Sequence, residues 1–181
     1  MIKRLISDFY INSIYDLTAR KVKSIGATVL IIDLDNTLAP YFVSSPEKKT
    51  YELISSYLKI GLEIIIISNN TFKRTYNYAS KLNLDFICSA RKPLAGKTKR
   101  YFAEHSIPLK GVLYIGDQVI NDMFMARKLD VRCCLTNPLT KKDHLSTRLI
   151  RPVDLHLRKK YKKQGRLGIN LEEDNNEREE I

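Results

Sequence analysis

Two aspartates with one residue between them, Asp33 and Asp35, follow directly on an apolar segment of the chain. Residues 28–32 are mostly β-branched or leucine, which predicts a strand buried on both faces. Carboxylates at the end of such a strand repel each other unless they share a proton or bind a cation between them. Mg²⁺ prefers oxygen ligands of this kind, so the pair predicts a magnesium site. The alternative is that both aspartates only cap the turn that follows the strand.

Polar side chains also follow two later apolar runs of the chain. Ser68 and Asn69 end one apolar run, Asp117 ends another, and Asp122 lies one turn into the helix after it. Lys92 lies in a loop between these two runs. The set combines carboxylates for a metal with hydrogen-bond donors and an ammonium group, and a phosphoryl group needs cations and donors around its oxygens. The sequence therefore predicts a phosphate site.

Several of these residues also have a purely structural interpretation. Ser68 could cap the helix that follows it, and Asp122 could lie on a helix surface. Lys92 could be a solvated loop lysine, with Lys97 taking its place near the phosphate. We expect Lys92 at the site, because Lys97 falls within the next predicted helix and should point away.

Strands and helices alternate along the middle of the chain. The apolar runs predict strands at 28–33, 62–67, 84–88, 112–115 and 131–135. Helical patterns lie between them at 45–60, 71–81, 96–105 and 119–129. This alternation predicts an α/β fold with a five-stranded parallel sheet and helices on both faces. The carboxyl ends of all these strands would meet at one edge of the sheet, where such folds bind ligands.

The segments on either side of the predicted core, residues 28–140, differ in character. Residues 1–27 show helical spacing and include a helix at 17–25; we expect them to pack on the domain, with a membrane-surface helix as the alternative. Residues 141–166 hold ten Lys or Arg against two Asp, a net charge of +8, and predict a basic helical segment. Residues 167–181 predict an acidic, disordered tail.

The composition is that of one globular domain in which basic residues strongly outnumber acidic ones. The formal net charge of +11 over 181 residues favours polyanionic partners such as nucleic acid, an anionic membrane or phosphorylated substrates. No apolar run is long enough to span a membrane, and the N-terminus is a poor secretory signal, so we expect a cytoplasmic location. Cys88, Cys133 and Cys134 lack metal-ligand spacing and predict reduced thiols in the core.

The order and spacing of the polar clusters resemble the haloacid dehalogenase (HAD) superfamily over about residues 28–136. The four matching motifs are Asp33-Leu34-Asp35-Asn36-Thr37, Ser68 after an apolar strand, Lys92, and Gly116-Asp117 with Asp122. Three segments look more particularly like the YqeG family of subclass IIIA phosphatases: Ile67-Ser68-Asn69-Asn70, Ala90-Arg91-Lys92-Pro93 and Gly116-Asp117-Gln118. The resemblance implies a HAD-like fold and a phosphatase.

That resemblance also implies a two-step mechanism. Asp33 is expected to attack phosphorus and form an aspartyl phosphate, while Asp35 protonates the leaving oxygen and then activates water. Mg²⁺ is expected to bind the carboxylates of Asp33 and Asp117 and the main-chain carbonyl of Asp35. Asp122 would bind the ion directly or through an intervening group.

The remaining motifs are expected to bind the phosphoryl group. By resemblance, Ser68 donates a hydrogen bond to a phosphoryl oxygen, and Lys92 neutralises the charge that develops in the transition state. Asn69 and Arg91 are further candidates for substrate contact.

Short spacings between the motifs leave no room for a separate cap domain. Thirty-four residues separate Asp33 from Ser68 and 23 separate Ser68 from Lys92, and a helix and a strand nearly fill each gap. A site without a cap is expected to be open, which suits a phosphate carried by a large molecule. Similar fungal phosphatases act on phosphatidylglycerophosphate, which makes this lipid, at the inner face of an anionic membrane, the leading candidate. The alternatives are soluble sugar phosphates or nucleotides, and a non-catalytic module that binds nucleic acid.

Overall fold

The computed structural model describes residues 6–142 and 149–172, and its centre is a parallel β-sheet. The strands are β1 (Phe9–Ile11), β2 (Val29–Asp33), β3 (Glu63–Ile67), β4 (Asp85–Ile87), β5 (Val112–Gly116), β6 (Arg132–Thr136) and β7 (Ile169–Asn170). The helices are α1 (Ala19–Ile25), α2 (Lys48–Lys59), α3 (Phe72–Ala79), α4 (Gly96–Glu104), α5 (Phe124–Leu129) and α6 (Arg151–Lys163). Short 3₁₀ turns at Ile14–Asp16 and Ser80–Leu82 and a π-helical turn at Val119–Met123 connect these elements.

Across the described residues the strand order is β4-β3-β2-β5-β6-β1-β7, and every neighbouring pair is parallel. The predicted parallel α/β fold is therefore confirmed, with β2 to β6 at the positions of the five predicted strands. The sheet has two strands more than predicted, because β1 and β7 extend it beyond β6.

Apolar side chains cover both faces of the sheet, as the continuous apolar strands predict. Leu30 and Ile32 of β2 belong to the cluster that includes residues of α1, α2 and α3. Val29 and Ile31 belong to the opposite cluster, with residues of α4 and α5. The helices thus bury β2 from both sides and hold its carboxyl end in place.

The register of the central strands sets the level of their carboxyl ends. Asp33 is level with Ile67 at the end of β3, and its neighbour Ile32 is level with Ile115 near the end of β5. The residues that follow β3 and β5 therefore lie just beyond Asp33, at one edge of the sheet.

The N-terminal segment departs from the helix expected there. Phe9–Ile11 is strand β1, in which Phe9 and Ile11 lie opposite Cys134 and Thr136 of β6. Pairing with a strand on each side satisfies the main-chain polar groups of β1, and this outweighs the helical spacing of its apolar residues. The predicted helix at 17–25 corresponds to α1, and residues 1–5 lie outside the described part of the chain.

The C-terminal segment contributes a strand where a disordered tail was expected. Ile169–Asn170 forms β7 beside β1, and Leu167 and Leu171 next to it are buried. Disorder over 167–172 is therefore the wrong prediction, because these leucines join the core while the main chain pairs with β1. The basic segment 141–166 contains helix α6, while residues 143–148 and 173–181 lie outside the described residues.

None of the helices in the described part of the chain combines the length and the apolar character needed to cross a membrane. The domain boundaries at 28, 141 and 167 stay predictions.

Candidate active site

The carboxyl edge of the central strands carries two neighbouring groups of polar side chains. The first, called here the acidic group, consists of three buried aspartates together with buried Lys92: Asp33, Asp117 and Asp122. The second consists of the side chains that contact Asp35: Ser68, Asn70 and Arg74.

Lys92 forms a buried ion pair with each of two aspartates. Its Nζ atom contacts Asp33 Oδ1 and lies 2.7 Å from Asp122 Oδ1. Burial tends to lower the pKa of Lys92, but the charges of Asp122 and Asp33 outweigh burial and raise that pKa well above its usual value. Lys92 is therefore a charged group held between carboxylates, not a solvated loop lysine. Lys97 is exposed and donates to the main-chain carbonyl of Cys88.

Asp122 lies in the π-helical turn and is fully buried, so it is not a surface residue. The N–H groups of Asp122 and Met123 donate to the Gln118 carbonyl at 3.0 and 3.1 Å. Asp122 Oδ2 accepts from the Gln118 N–H at 2.9 Å, and Oδ1 accepts from the Tyr114 hydroxyl at 3.2 Å. Turns of this kind occur frequently at functional sites, and this one fixes the direction of a carboxylate.

Asp117 has partners from two distant segments. Its Oδ1 accepts from the Thr37 hydroxyl at 3.3 Å, and its Oδ2 lies 2.8 Å from Arg151 Nη2 on α6. Burial raises the pKa of Asp117 to about 6, although the Arg151 charge opposes this shift. The carboxylate therefore depends on cationic neighbours to stay ionised near neutral pH.

The acidic group is a donor set suited to a divalent cation. One carboxylate oxygen from each of Asp33, Asp117 and Asp122 lies within 4.8 Å of the others. Asp33 Oδ2 is buried and has no hydrogen-bond donor among the described residues. Burial, and then the charges of Asp122 and Asp117, raise the pKa of Asp33 well above its ordinary value, against the charge of Lys92. A hard cation with oxygen ligands fits here, because its positive charge would offset the repulsion among the three carboxylates.

Asp35 is not part of the acidic group and accepts hydrogen bonds from three side chains. Its Oδ2 accepts from Ser68 Oγ at 3.1 Å and from Asn70 Nδ2 at 3.3 Å. Its Oδ1 accepts from Arg74 Nε at 3.3 Å and Nη2 at 3.1 Å. Ser68 is thus buried next to Asp35, and its hydrogen bond to a phosphoryl oxygen stays a prediction.

Asn69 and Arg91 occupy exposed positions around Lys92. The Asn69 amide brackets the main chain of Lys92: Oδ1 accepts from the Lys92 N–H at 2.7 Å, and Nδ2 donates to the Lys92 carbonyl at 3.1 Å. These bonds fix the loop that presents the lysine. Arg91 adopts a left-handed φ of 58°. Substrate contacts by Asn69 and Arg91 stay predictions.

Sequence reasoning misses four residues that contact these groups: Tyr114, Arg74, Arg151 and Arg158. Arg74 follows Ser68 closely and lies in the first turn of α3, a position that could have identified it. Arg158 was expected to be a surface charge of the basic segment, but it donates to the Asp117 carbonyl at 2.6 Å. No sequence signal separates Arg151 and Arg158 from the neighbouring lysines, because their contacts depend on where α6 crosses the sheet edge.

Among the described residues no separate cap domain lies over the site, as predicted. A loop and α2 connect β2 to β3, and α3 with a 3₁₀ turn connects β3 to β4. The carboxylates of the site are nevertheless covered: Asp33 is 4% exposed and Asp117 and Asp122 are 0% exposed. An open site is therefore the wrong expectation for these side chains, because the chain's own loops and α6 surround them. The side chain of Asp35 is more accessible, at 22%.

Comparisons with known proteins agree with this fold. No protein-family model matches the chain. Over 165 residues the chain is 26% identical to the "Probable phosphatase YqeG" of Bacillus subtilis (strain 168). The aligned region covers 91% of this chain and 96% of that protein.

Solved structures align over much of the chain at low sequence identity. A Vibrio cholerae protein assigned as 3-deoxy-D-manno-octulosonate 8-phosphate phosphatase aligns with a TM-score of 0.51 and 17% identity, over 67% of this chain and 69% of that chain. An uncharacterized protein from Listeria monocytogenes serotype 4b aligns with a TM-score of 0.50 and 16% identity, over 74% of this chain and 99% of that chain. At these identities the likeness concerns the fold alone. The chain therefore has the predicted HAD-like fold and resembles the YqeG family over nearly all of its length.

Proposed function

We propose that the chain is a HAD-type phosphatase, a Mg²⁺-dependent phosphomonoester hydrolase that works through an aspartyl phosphate on Asp33. The sequence is similar to a probable phosphatase over nearly its whole length, and the carboxyl edge of the sheet holds the acidic group. The observation that carries the proposal is the state of the Asp33 carboxylate. One of its oxygens contacts Lys92, and the other is buried without a hydrogen-bond donor among the described residues.

Asp33 has the surroundings that a carboxylate nucleophile needs. Lys92 fixes Oδ1, which leaves Oδ2 as the atom that attacks phosphorus. The bond from Oδ2 to phosphorus forms while the bond from phosphorus to the leaving oxygen breaks. Lys92 is positioned to offset the negative charge that develops on the phosphoryl oxygens.

Asp35 is the proposed acid and base. It gives a proton to the leaving oxygen in the first step and takes one from the attacking water in the second, so the proton balance closes. Ser68, Asn70 and Arg74 orient its carboxyl group. The partial exposure of the Asp35 side chain gives water access to this carboxyl group.

Mg²⁺ is the proposed cofactor, held by the carboxylates of Asp33, Asp117 and Asp122 and by the main-chain carbonyl of Asp35. When bound, the ion polarises the phosphoryl group and offsets its charge. One oxygen from each of these three carboxylates lies within 4.8 Å of the others. Contacts with Lys92 and Tyr114 fix the orientation of the Asp122 carboxylate.

Phosphatidylglycerophosphate at an anionic membrane surface is the proposed substrate. The net charge of +11 and the exposed lysines of α6 support binding to anionic lipid. The complete set of site residues argues against the alternative of a non-catalytic module that binds nucleic acid.

A substrate panel tests the proposal. Phosphate release is measured on phosphatidylglycerophosphate in mixed micelles, on soluble sugar phosphates and on nucleotides, each with Mg²⁺ or EDTA and with Asp33→Asn as the control variant. We expect lipid hydrolysis that requires both Mg²⁺ and Asp33. Faster hydrolysis of a soluble substrate would replace the lipid assignment, and turnover that resists EDTA would contradict the metal assignment. No turnover on any substrate, together with RNA binding, would favour the non-catalytic alternative.

A further inference from the structure

Helix α6 buries two charged side chains, Arg151 and Asp154. Two of its apolar side chains, Leu157 and Tyr161, pack partly buried against the core, whereas Val153 is 53% exposed. Apolar burial therefore accounts for only part of the packing of this helix. Buried ionic contacts add little net stability compared with well-packed apolar side chains. Stability alone therefore does not explain why this helix buries Arg151 and Asp154.

A charged face of α6 contacts the loop between Asp117 and Asp122. Arg151, Asp154 and Arg158 are spaced three and four residues apart, so they lie on one side of the helix. Asp154 Oδ1 accepts from the main-chain N–H of Ile120 at 3.0 Å, within the π-helical turn. Arg158 Nη2 donates to the carbonyl of Asp117 at 2.6 Å. One helix face thus holds both the start and the middle of this loop.

Arg158 also ties the ends of two strands together. Besides the Asp117 carbonyl, Nη2 donates to the Thr136 carbonyl at 2.7 Å, and Nη1 donates to Asn137 Oδ1 at 2.9 Å. The rigid fork of the guanidinium fixes these acceptors relative to one another. Each of these acceptors is a carbonyl or amide oxygen. Arg158 therefore fixes the main chain of Asp117, whereas Arg151 contacts the Asp117 carboxylate directly.

We propose that Arg158 and Asp154 are positioning residues for the metal site, which fix the main chain that sets the distance between Asp117 and Asp122. This inference rests on the proposed Mg²⁺ site and extends it to a helix outside the four sequence motifs. Asp117 and Asp122 stand at the two ends of one short loop, so a shift of that loop changes the spacing of two ligands at once. Groups that orient metal ligands typically change metal affinity by about 10- to 100-fold when they are removed.

Isothermal titration of Mg²⁺ into the full chain tests this inference without depending on catalysis. We expect Arg158→Gln to weaken Mg²⁺ binding by about 10- to 100-fold. Arg158→Lys should recover part of the affinity, because it keeps a charged donor but loses the fork. Asp154→Ala should also weaken binding, because it leaves the Ile120 N–H without its acceptor. Lys159→Gln is the matched control, since it removes the same charge from an exposed neighbouring position.

Thermal unfolding of each variant without Mg²⁺ separates positioning from a merely structural role. Lower melting temperatures with unchanged Mg²⁺ affinity in Arg158→Gln and Asp154→Ala would overturn the inference. An equal loss in Lys159→Gln would do the same, because net charge alone would then explain it. If Arg158→Gln does not fold, Arg158→Lys and Asp154→Ala decide. A wild-type chain that binds no Mg²⁺ would refute the proposed cofactor and this inference together, whereas normal binding in all variants would refute the inference alone.

Discussion

The ammonium group of Lys92 and the carboxylate of Asp33 are in direct contact at the end of the central strand, and each side chain is only 5% exposed. The contact joins the loop after β4 to the end of β2. Removing the Lys92 charge leaves the Asp33 carboxylate buried without a counter-ion, which costs far more than the loss of a surface ion pair. The same contact therefore supports the folded strand end and sets the electrostatics of the proposed nucleophile.

Asp33→Asn is expected to abolish turnover, because an amide cannot form the acyl phosphate. The protein should remain folded, since the side chains have the same shape and Lys92 keeps its ion pair with Asp122 at 2.7 Å. Phosphate release and thermal unfolding measure the two effects. Asp35→Asn should lower kcat by about 10²- to 10⁴-fold and accumulate the phosphorylated chain, detectable by intact mass. Wild-type turnover in purified Asp33→Asn would remove Asp33 as the nucleophile.

Lys92→Ala is expected to lower kcat by about 10²-fold or more, because it removes a charged donor from the phosphoryl site. It should also lower the free energy of unfolding by about 3–5 kcal/mol, since Asp33 and Asp122 lose their buried counter-ion. Urea unfolding and steady-state kinetics give both numbers. Lys97→Ala is the control and should stay within about 0.5 kcal/mol of wild type with normal kcat. If Lys97→Ala is the impaired variant, the loop assignment is wrong.

Gly116→Ala is expected to impair Mg²⁺ binding and turnover. An added Cβ would lie 2.4 Å from Asp122 Cγ, which forces that side chain to move. Lys92 and Tyr114 both hold the Asp122 carboxylate, so it cannot shift without breaking these contacts. Isothermal titration and kinetics measure the effect. Gly96→Ala, where nothing lies within 4 Å of the new Cβ, should behave as wild type. Equal behaviour of the two alanine variants would show that Asp122 has room to adjust.

The sequence predicts the central sheet and most of its functional edge, because both depend on local patterns. Continuous apolar runs identify β2, β3 and β5, and parallel pairing then brings the residues after them to one edge. Burial of Asp122 and the exposure of Lys97 follow from the same pattern. These are features that strand ends and short loops determine.

Contacts that depend on tertiary packing could not be predicted. β1 and β7 are strands only because each finds a neighbour, and their few residues carry no strand signal strong enough to outweigh a helical pattern or an acidic composition. Arg158 lies in a run of basic residues that composition alone assigns to solvent. Its contacts with main-chain carbonyls depend on the position of α6 over the Asp117 loop, which no local pattern encodes.

Cys133 and Cys134 are expected to resist thiol reagents in the folded protein. Both are 0% exposed and face opposite sides of β6. Burial raises the pKa of Cys133 to about 12 and also raises the pKa of Cys134, so the reactive thiolate is scarce at pH 8. Ellman's reagent should titrate one thiol, Cys88, in the native chain and all three in guanidinium chloride. The Cys88→Ser variant should show no native reaction, and a second fast thiol would contradict the buried positions.

Exposed lysines of α6, and not its arginines, are expected to bind anionic membranes. Basic residues near an anionic surface contribute about 1 kcal/mol each, whereas Arg158 is held by main-chain carbonyls inside the protein. We expect cosedimentation with phosphatidylglycerol-rich vesicles at low salt, weaker cosedimentation with neutral vesicles, and loss of binding as ionic strength rises. The test variant replaces four exposed lysines by Gln: Lys159, Lys160, Lys162 and Lys163.

This α6 variant should bind vesicles more weakly and still hydrolyse a soluble phosphomonoester normally, because none of the four lysines contacts the acidic group or Asp35 in the described structure. The matched control removes the same charge from exposed positions elsewhere: Lys23, Lys59, Lys99 and Lys110. An equal loss of vesicle binding in both variants would mean that net charge alone, and not α6, attracts the membrane. Binding that ignores lipid charge, or that single-stranded RNA competes away at equal phosphate concentration, would remove the physical support for a lipid substrate.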